Sequence, residues 1–117
     1  MVVFEFCAEN LTLLDKAIAA GASRIELCDN LAVGGTTPSI GVIKEALKLT
    51  REKSVDLCVI IRPRGGDFVY TDLEVQAMLA DIRAAKEIGV TCFVLGALSG
   101  DRKLDQRVMQ LLLAACG

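Results

Sequence analysis

Hydrophobic positions along this chain follow two periods in turn, and the alternation repeats four times. Apolar runs at residues 2–8, 24–29, 56–63 and 92–98 have the length and period-two spacing of strands. After each run, apolar residues recur at helical spacing, over about 11–20, 40–53, 73–88 and 104–115. Capping residues punctuate the helices. Asn10 is placed to cap the first and Gly21 to end it, Ser39 to cap the second, and Thr71 or Asp72 the third, with Gly89 after its end. The third is the clearest helix, with Leu73, Ala77, Ala80, Ala84 and Ile88 near one face.

Four such units in 117 residues average about 29 residues each, close to the ~30 of a strand–helix crossover. Strands joined through helices run parallel, so the pattern predicts an α/β fold. Two architectures satisfy it: a small doubly wound sheet, or a (β/α)₈ TIM barrel of roughly 250 residues, of which this chain holds four units of eight, a half-barrel. Strand parity separates them. Glu5 and Cys7 share one face of the first strand, Glu26 and Cys28 one face of the second, and Ile60, Arg62 and Arg64 one face of the third. A face with Glu5, Glu26 and Arg62 cannot pack under helices without burying charge, whereas the other parity is apolar throughout. The pattern therefore favours the barrel, charged parity inward, with Arg62 near enough to the two glutamates to pair.

Composition narrows the functions open to such a fold. The net charge of −2, from 13 basic and 15 acidic residues, provides no electrostatic footprint for nucleic acid or an anionic membrane surface. No run approaches the roughly 18 apolar residues of a membrane span, and Met1-Val2-Val3-Phe4-Glu5 lacks the basic start of a signal peptide, so a cytoplasmic protein is expected. A hydrophobic content of 53% and a mean hydropathy of +0.49 predict apolar surface that another copy of the chain, or further sequence, covers. There is no histidine, which removes Ser-His-Asp and Cys-His catalysis and any imidazole metal ligand. The five cysteines are scattered and include no C-x-x-C pair, so reduced thiols packed as small hydrophobes are expected.

Two constellations carry candidate chemistry. Arg62, Arg64, Gly65, Gly66 and Asp67 follow the third strand, at the end where parallel α/β folds build their sites. Two arginines grip a carboxylate or phosphate, glycines let backbone approach it, and Asp67 orients an arginine or acts as a base. The alternative is structural: Arg62 and Arg64 pair with Glu5, Glu26 and Asp67, and the glycines make a turn. Cys7 and Cys28 form the second constellation, in matching places on strands expected to be neighbours; two thiolates without histidine suit Cu(I), and the alternative is that both simply pack. Gly34-Gly35-Thr36-Thr37-Pro38-Ser39 reads as a turn and cap, since it lacks the lysine of a P-loop.

Arg24-Ile25-Glu26-Leu27-Cys28, Gly34-Gly35-Thr36-Thr37-Pro38-Ser39-Ile40-Gly41 and Ile61-Arg62-Pro63-Arg64-Gly65-Gly66-Asp67-Phe68 with Tyr70 resemble the CutC family of copper homeostasis proteins in order and spacing along essentially the whole chain. The resemblance implies a cytoplasmic (β/α)₈ barrel linked to copper tolerance, with Cu(I) held by cysteines; Cys7 and Cys28 match the family's cysteine positions. It also implies further strands beyond the fourth helix, one bearing histidine and arginine, so residues 1–117 read as a truncated (β/α)₄ portion. Two other readings remain: an enzyme acting on a small anionic substrate held by Arg62 and Arg64 with Glu5, Glu26, Gly65, Gly66 and Asp67 around it, and a fragment without a site of its own that pairs with a second copy.

Overall fold

A computed structural model describes residues 1–117 throughout. Four parallel strands, β1 (Glu5–Glu9), β2 (Arg24–Cys28), β3 (Asp56–Ile60) and β4 (Cys92–Val94), lie in the order β1-β2-β3-β4. Four helices alternate with them: α1 (Leu14–Ala19), α2 (Ile40–Glu52), α3 (Asp72–Glu87) and α4 (Gln106–Cys116). Each strand pairs with its sequence neighbour, so the order has none of the reversal that defines a doubly wound sheet.

The register fixes the two faces. Phe6, Ile25, Leu57 and Val59 belong to one parity, Glu5, Cys7, Arg24, Glu26 and Cys58 to the other. On the first parity Ala8, Ile25, Leu27, Val59 and Ile61 are buried and cluster with Leu14, Ile43, Met78, Ile82 and Leu112 from the four helices. Helices therefore cover the apolar face alone, and the charged parity forms the open face, as the alternation along the strands predicts.

Several elements differ from their predicted extents. The first helix begins at Leu14 instead of residue 11, because Asn10 and Leu13 both take left-handed backbone (φ 54° and 59°) and the intervening residues turn. Asn10 Oδ1 accepts from the adjacent Leu11 N–H and caps nothing. β3 and β4 end at Ile60 and Val94, short of the predicted 63 and 98: the Ile61 N–H still reaches Val94 O, but Arg62 bonds Thr37 and Leu98 bonds Phe68 O in the loops. α3 has the predicted ends but the opposite inner face. Val75, Met78, Leu79, Ile82 and Ala85 are buried and Leu73 is 83% exposed. Larger side chains remove more apolar area from water per residue than a stripe of alanines does, and they decide the rotation.

Helix starts follow the capping residues more closely. Ser39 Oγ accepts from the Val42 N–H at 3.2 Å. Thr71 forms a capping box with Glu74: its Oγ1 accepts the Glu74 N–H at 3.2 Å, and Glu74 Oε1 accepts the Thr71 N–H at 2.8 Å.

The expectation of five reduced thiols fails at two of them. Cys58 and Cys92 stand opposite each other in the β3–β4 register, Cα atoms 4.4 Å apart, and are joined by a disulfide. Their side chains leave adjacent strands toward the same face, a relation that a 34-residue separation in sequence hides.

Candidate functional site

One row of the open face runs from Cys7 on β1 through Glu26 on β2 and Cys58 on β3 to Cys92 on β4. The disulfide takes the last two sulfurs out of the set of free ligands, leaving Cys7 and Cys28 beside Glu26. Their sulfurs are 3.8 Å apart. Both thiols donate toward the same carboxylate oxygen, Glu26 Oε1, from 3.7 Å for Cys7 and 3.4 Å for Cys28. All three ligand atoms lie within 4.8 Å of one another.

Cys7 is exposed, Glu26 half-buried and Cys28 buried, so the cluster is open from the β1 side and closed beneath. Burial raises both thiol pKa values, and the Glu26 carboxylate adds to the rise; for Cys28 the neighbouring Cys7 contributes as well. Both therefore remain protonated near neutrality. A soft cation that displaces those protons removes the conflict between thiolate and carboxylate charge, so two thiols plus one carboxylate without a nitrogen ligand fit a monovalent soft metal such as Cu(I).

The arginine cluster is arranged otherwise than expected. Arg62 does not reach Glu5 or Glu26. Its guanidinium donates to three main-chain carbonyls, Val33 O at 2.7 Å, Gly35 O at 2.9 Å and Gly66 O at 2.8 Å, and sits over the Phe68 ring. Glu5 pairs with Arg24 at 2.6 Å, the residue facing it in the register. Arg64 is bound to Glu74 through two bonds, at 2.5 and 3.3 Å, and to Asp67 Oδ1 at 3.2 Å, with Gly65 O, Asp67 O and Val69 O taking its remaining donors. Its hydrogen bonds to Glu74 hold its pKa above the usual range, while the Thr71 N–H and Arg64 lower that of Glu74.

The donors of Arg64 are thus taken up within its own loop and by the first turn of α3. The loop requires both glycines: a Cβ on Gly65 would lie 2.8 Å from Val33 Cβ, and Gly66 has φ +89°. Glu74 was missed as the partner of Arg64, although Thr71-x-x-Glu74 carries the capping-box spacing in the sequence.

Fold and cluster together define a parallel α/β protein whose open sheet face carries a dithiol–carboxylate group suited to a soft metal. The sequence pattern of the CutC family matches residues 2–117, and the chain belongs to that family. It is 56% identical over 114 residues to a family protein CutC of Streptococcus pyogenes, covering 97% of this chain and 54% of that protein. The human copper homeostasis protein cutC homolog is 42% identical over 114 residues, covering 97% of this chain and 41% of the relative. The crystal structure of CutC from Streptococcus agalactiae superposes with a TM-score of 0.94 at 52% identity, covering 99% of this chain and 55% of the other. The chain thus spans about half the length of the relatives it matches.

Proposed function

We propose that this chain is a (β/α)₄ portion of a CutC-type TIM barrel, that it acts in copper homeostasis in the cytoplasm, and that it binds Cu(I) through Cys7 and Cys28. The observation that carries the reading is the pair of free sulfurs 3.8 Å apart on neighbouring strands, both directed at Glu26. Support for the barrel comes from the sequential strand order, the single helix-covered face and the half-length match to the CutC crystal structure.

Cu(I) is the soft cation that such thiolates select over magnesium or calcium. Bound there, it would supply charge that stabilises two thiolates in a half-buried site. Cys7 and Cys28 would hold it beside Glu26 Oε1, the acceptor for both S–H groups, and the two displaced protons would pass to solvent. In a reducing compartment such as the cytoplasm these thiols stay available, and the Cys58–Cys92 bridge is open to reduction there. The same reading has a second copy of the chain covering the β1 edge, where Val2, Val3 and Phe4 stand exposed.

Titration with Cu(I) against a competing chelator tests the site. The wild type should take one ion per chain, and a Cys7→Ser/Cys28→Ser double variant that folds normally should lose that binding. Equal affinity in the two proteins would remove these thiols as ligands.

A further inference from the structure

The open face holds a second pair of sulfurs that the Cys7–Cys28 site does not use. Cys58 and Cys92 stand opposite each other on β3 and β4, Cα atoms 4.4 Å apart, and share the face that carries Cys7, Glu26 and Cys28. In the structure they are joined as a disulfide. Cys28 lies two positions beyond the residue that faces Cys7, and that diagonal pair stays free, with sulfurs 3.8 Å apart. Direct opposition in the register suits a bond, and a diagonal offset suits two thiols.

Backbone pairing holds β3 against β4 independently of the bridge. Cys58, Val59 and Ile60 pair with Cys92, Phe93 and Val94, and the Ile61 N–H donates to Val94 O at 2.8 Å. Opening the disulfide therefore leaves two thiols side by side on a fixed sheet, and little further ordering is needed for both to reach one ion. Cys92 is half-buried and Cys58 is 3% exposed, so a reductant meets the bridge at Cys92. One thiolate of a small dithiol attacks the Cys92 sulfur, the S–S bond breaks, and Cys58 leaves as a thiolate that takes a proton. The second thiol of the reductant then displaces Cys92, which is protonated in turn. The reductant departs as a disulfide, and two electrons and two protons have passed to the protein.

We propose that reduction of Cys58–Cys92 opens a second soft-metal site on this face, a pair of thiolates that binds one Cu(I), so that the redox state of the bridge sets how many ions the chain carries. The donor set is sulfur alone. Glu26 faces Cys58 in the register, but its Oε1 is the acceptor for Cys7 and Cys28. Zinc takes three or four protein ligands and calcium and magnesium take oxygen, which leaves the soft monovalent ion for two thiolates. The site has no ligand in common with Cys7 and Cys28, and it stands whether or not that pair binds copper.

The test uses the Cys7→Ser/Cys28→Ser variant, whose remaining cysteines are Cys58, Cys92 and Cys116. One sample is kept oxidised, another is reduced with dithiothreitol and freed of it anaerobically, and both are titrated with Cu(I) against a chromogenic chelator. The oxidised sample should take no ion and the reduced sample one ion per chain. Adding Cys92→Ser should abolish that uptake, whereas adding Cys116→Ser should leave it unchanged. Equal uptake by the two samples, or uptake that survives Cys92→Ser, would overturn the proposal. Loss of helical circular dichroism on reduction would overturn it as well, because the site needs β3 and β4 in register. The wild type gives an independent count. A rise from one ion to two on reduction supports both sites, and a rise from none to one supports this site while removing Cys7 and Cys28. One ion in both redox states would assign all copper to Cys7 and Cys28 and overturn the second site.

Discussion

Cys28 shows how one residue's surroundings set the behaviour of the metal site. Its thiol is buried against Cys7 and Glu26, and all three influences, desolvation, the neighbouring sulfur and the carboxylate, favour the protonated form. Cys7 is pushed the same way, mainly by desolvation. Below about pH 8 both thiols thus carry protons that Cu(I) must displace, so binding one ion releases two protons, and affinity falls as pH falls. The expected slope is about a hundredfold gain in Cu(I) affinity per pH unit, measured between about pH 6 and pH 8 with a chelator whose own titration is known. A slope near tenfold would mean that only one of the two thiols is a ligand. This pair was legible in the sequence because Glu-x-Cys repeats on two strands that turned out to be neighbours in register. The partners of Arg62 were not. They are carbonyls of loops after β2 and β3, and a carbonyl leaves no mark on the identity of its residue.

At the scale of the element, α3 separates what a helical pattern specifies from what it leaves open. The capping box fixes its start and Gly89, at φ +110°, follows its end, both readable from residue type. Its rotation is not readable in the same way, because apolar residues lie on both sides and only packing against α2, α4 and the sheet selects one. Ile82→Ala should cost about 2–5 kcal/mol by leaving a cavity in the core, while Leu73→Ala, at an 83% exposed position, should stay within about 0.5 kcal/mol. Urea unfolding of the two variants checks the assignment, and equal losses would return the inner face to the Leu73 side. Thr71→Ala removes the cap and should cost about 1 kcal/mol in the same assay. The β3–β4 pairing is tested by thiol counting in denaturant: three reactive thiols before reduction, Cys7, Cys28 and Cys116, and five after it. Five before reduction would mean that register alone, without a bond, brings Cys58 and Cys92 together.

The whole molecule is a sheet dressed on one face, and its dimensions reflect that. Its radius of gyration, 14.3 Å with extents of 42 × 29 × 28 Å, exceeds the ~13.4 Å expected of a compact chain of this length. Part of the high mean hydropathy seen in composition has a location in this shape: the β1 edge, where Val2 and Phe4 are 70% and 64% exposed beside a strand with unpaired backbone groups. Composition could announce the excess but not its place, since that depends on which strand ends the sheet. A second copy that covers this edge would remove both the apolar side chains and the free strand from water. Phe4 holds β2 through its main-chain oxygen, which accepts from the Ser23 and Arg24 N–H groups, so its side chain can change without loss of that pairing. In sedimentation velocity the wild type should therefore run as a dimer or larger at micromolar concentration, and Phe4→Lys should shift it toward a monomer of 12.5 kDa with unchanged secondary structure. A monomeric wild type that binds no dye for exposed apolar surface would contradict the second-copy reading, whereas a dimer indifferent to Phe4→Lys would place the contact away from Phe4.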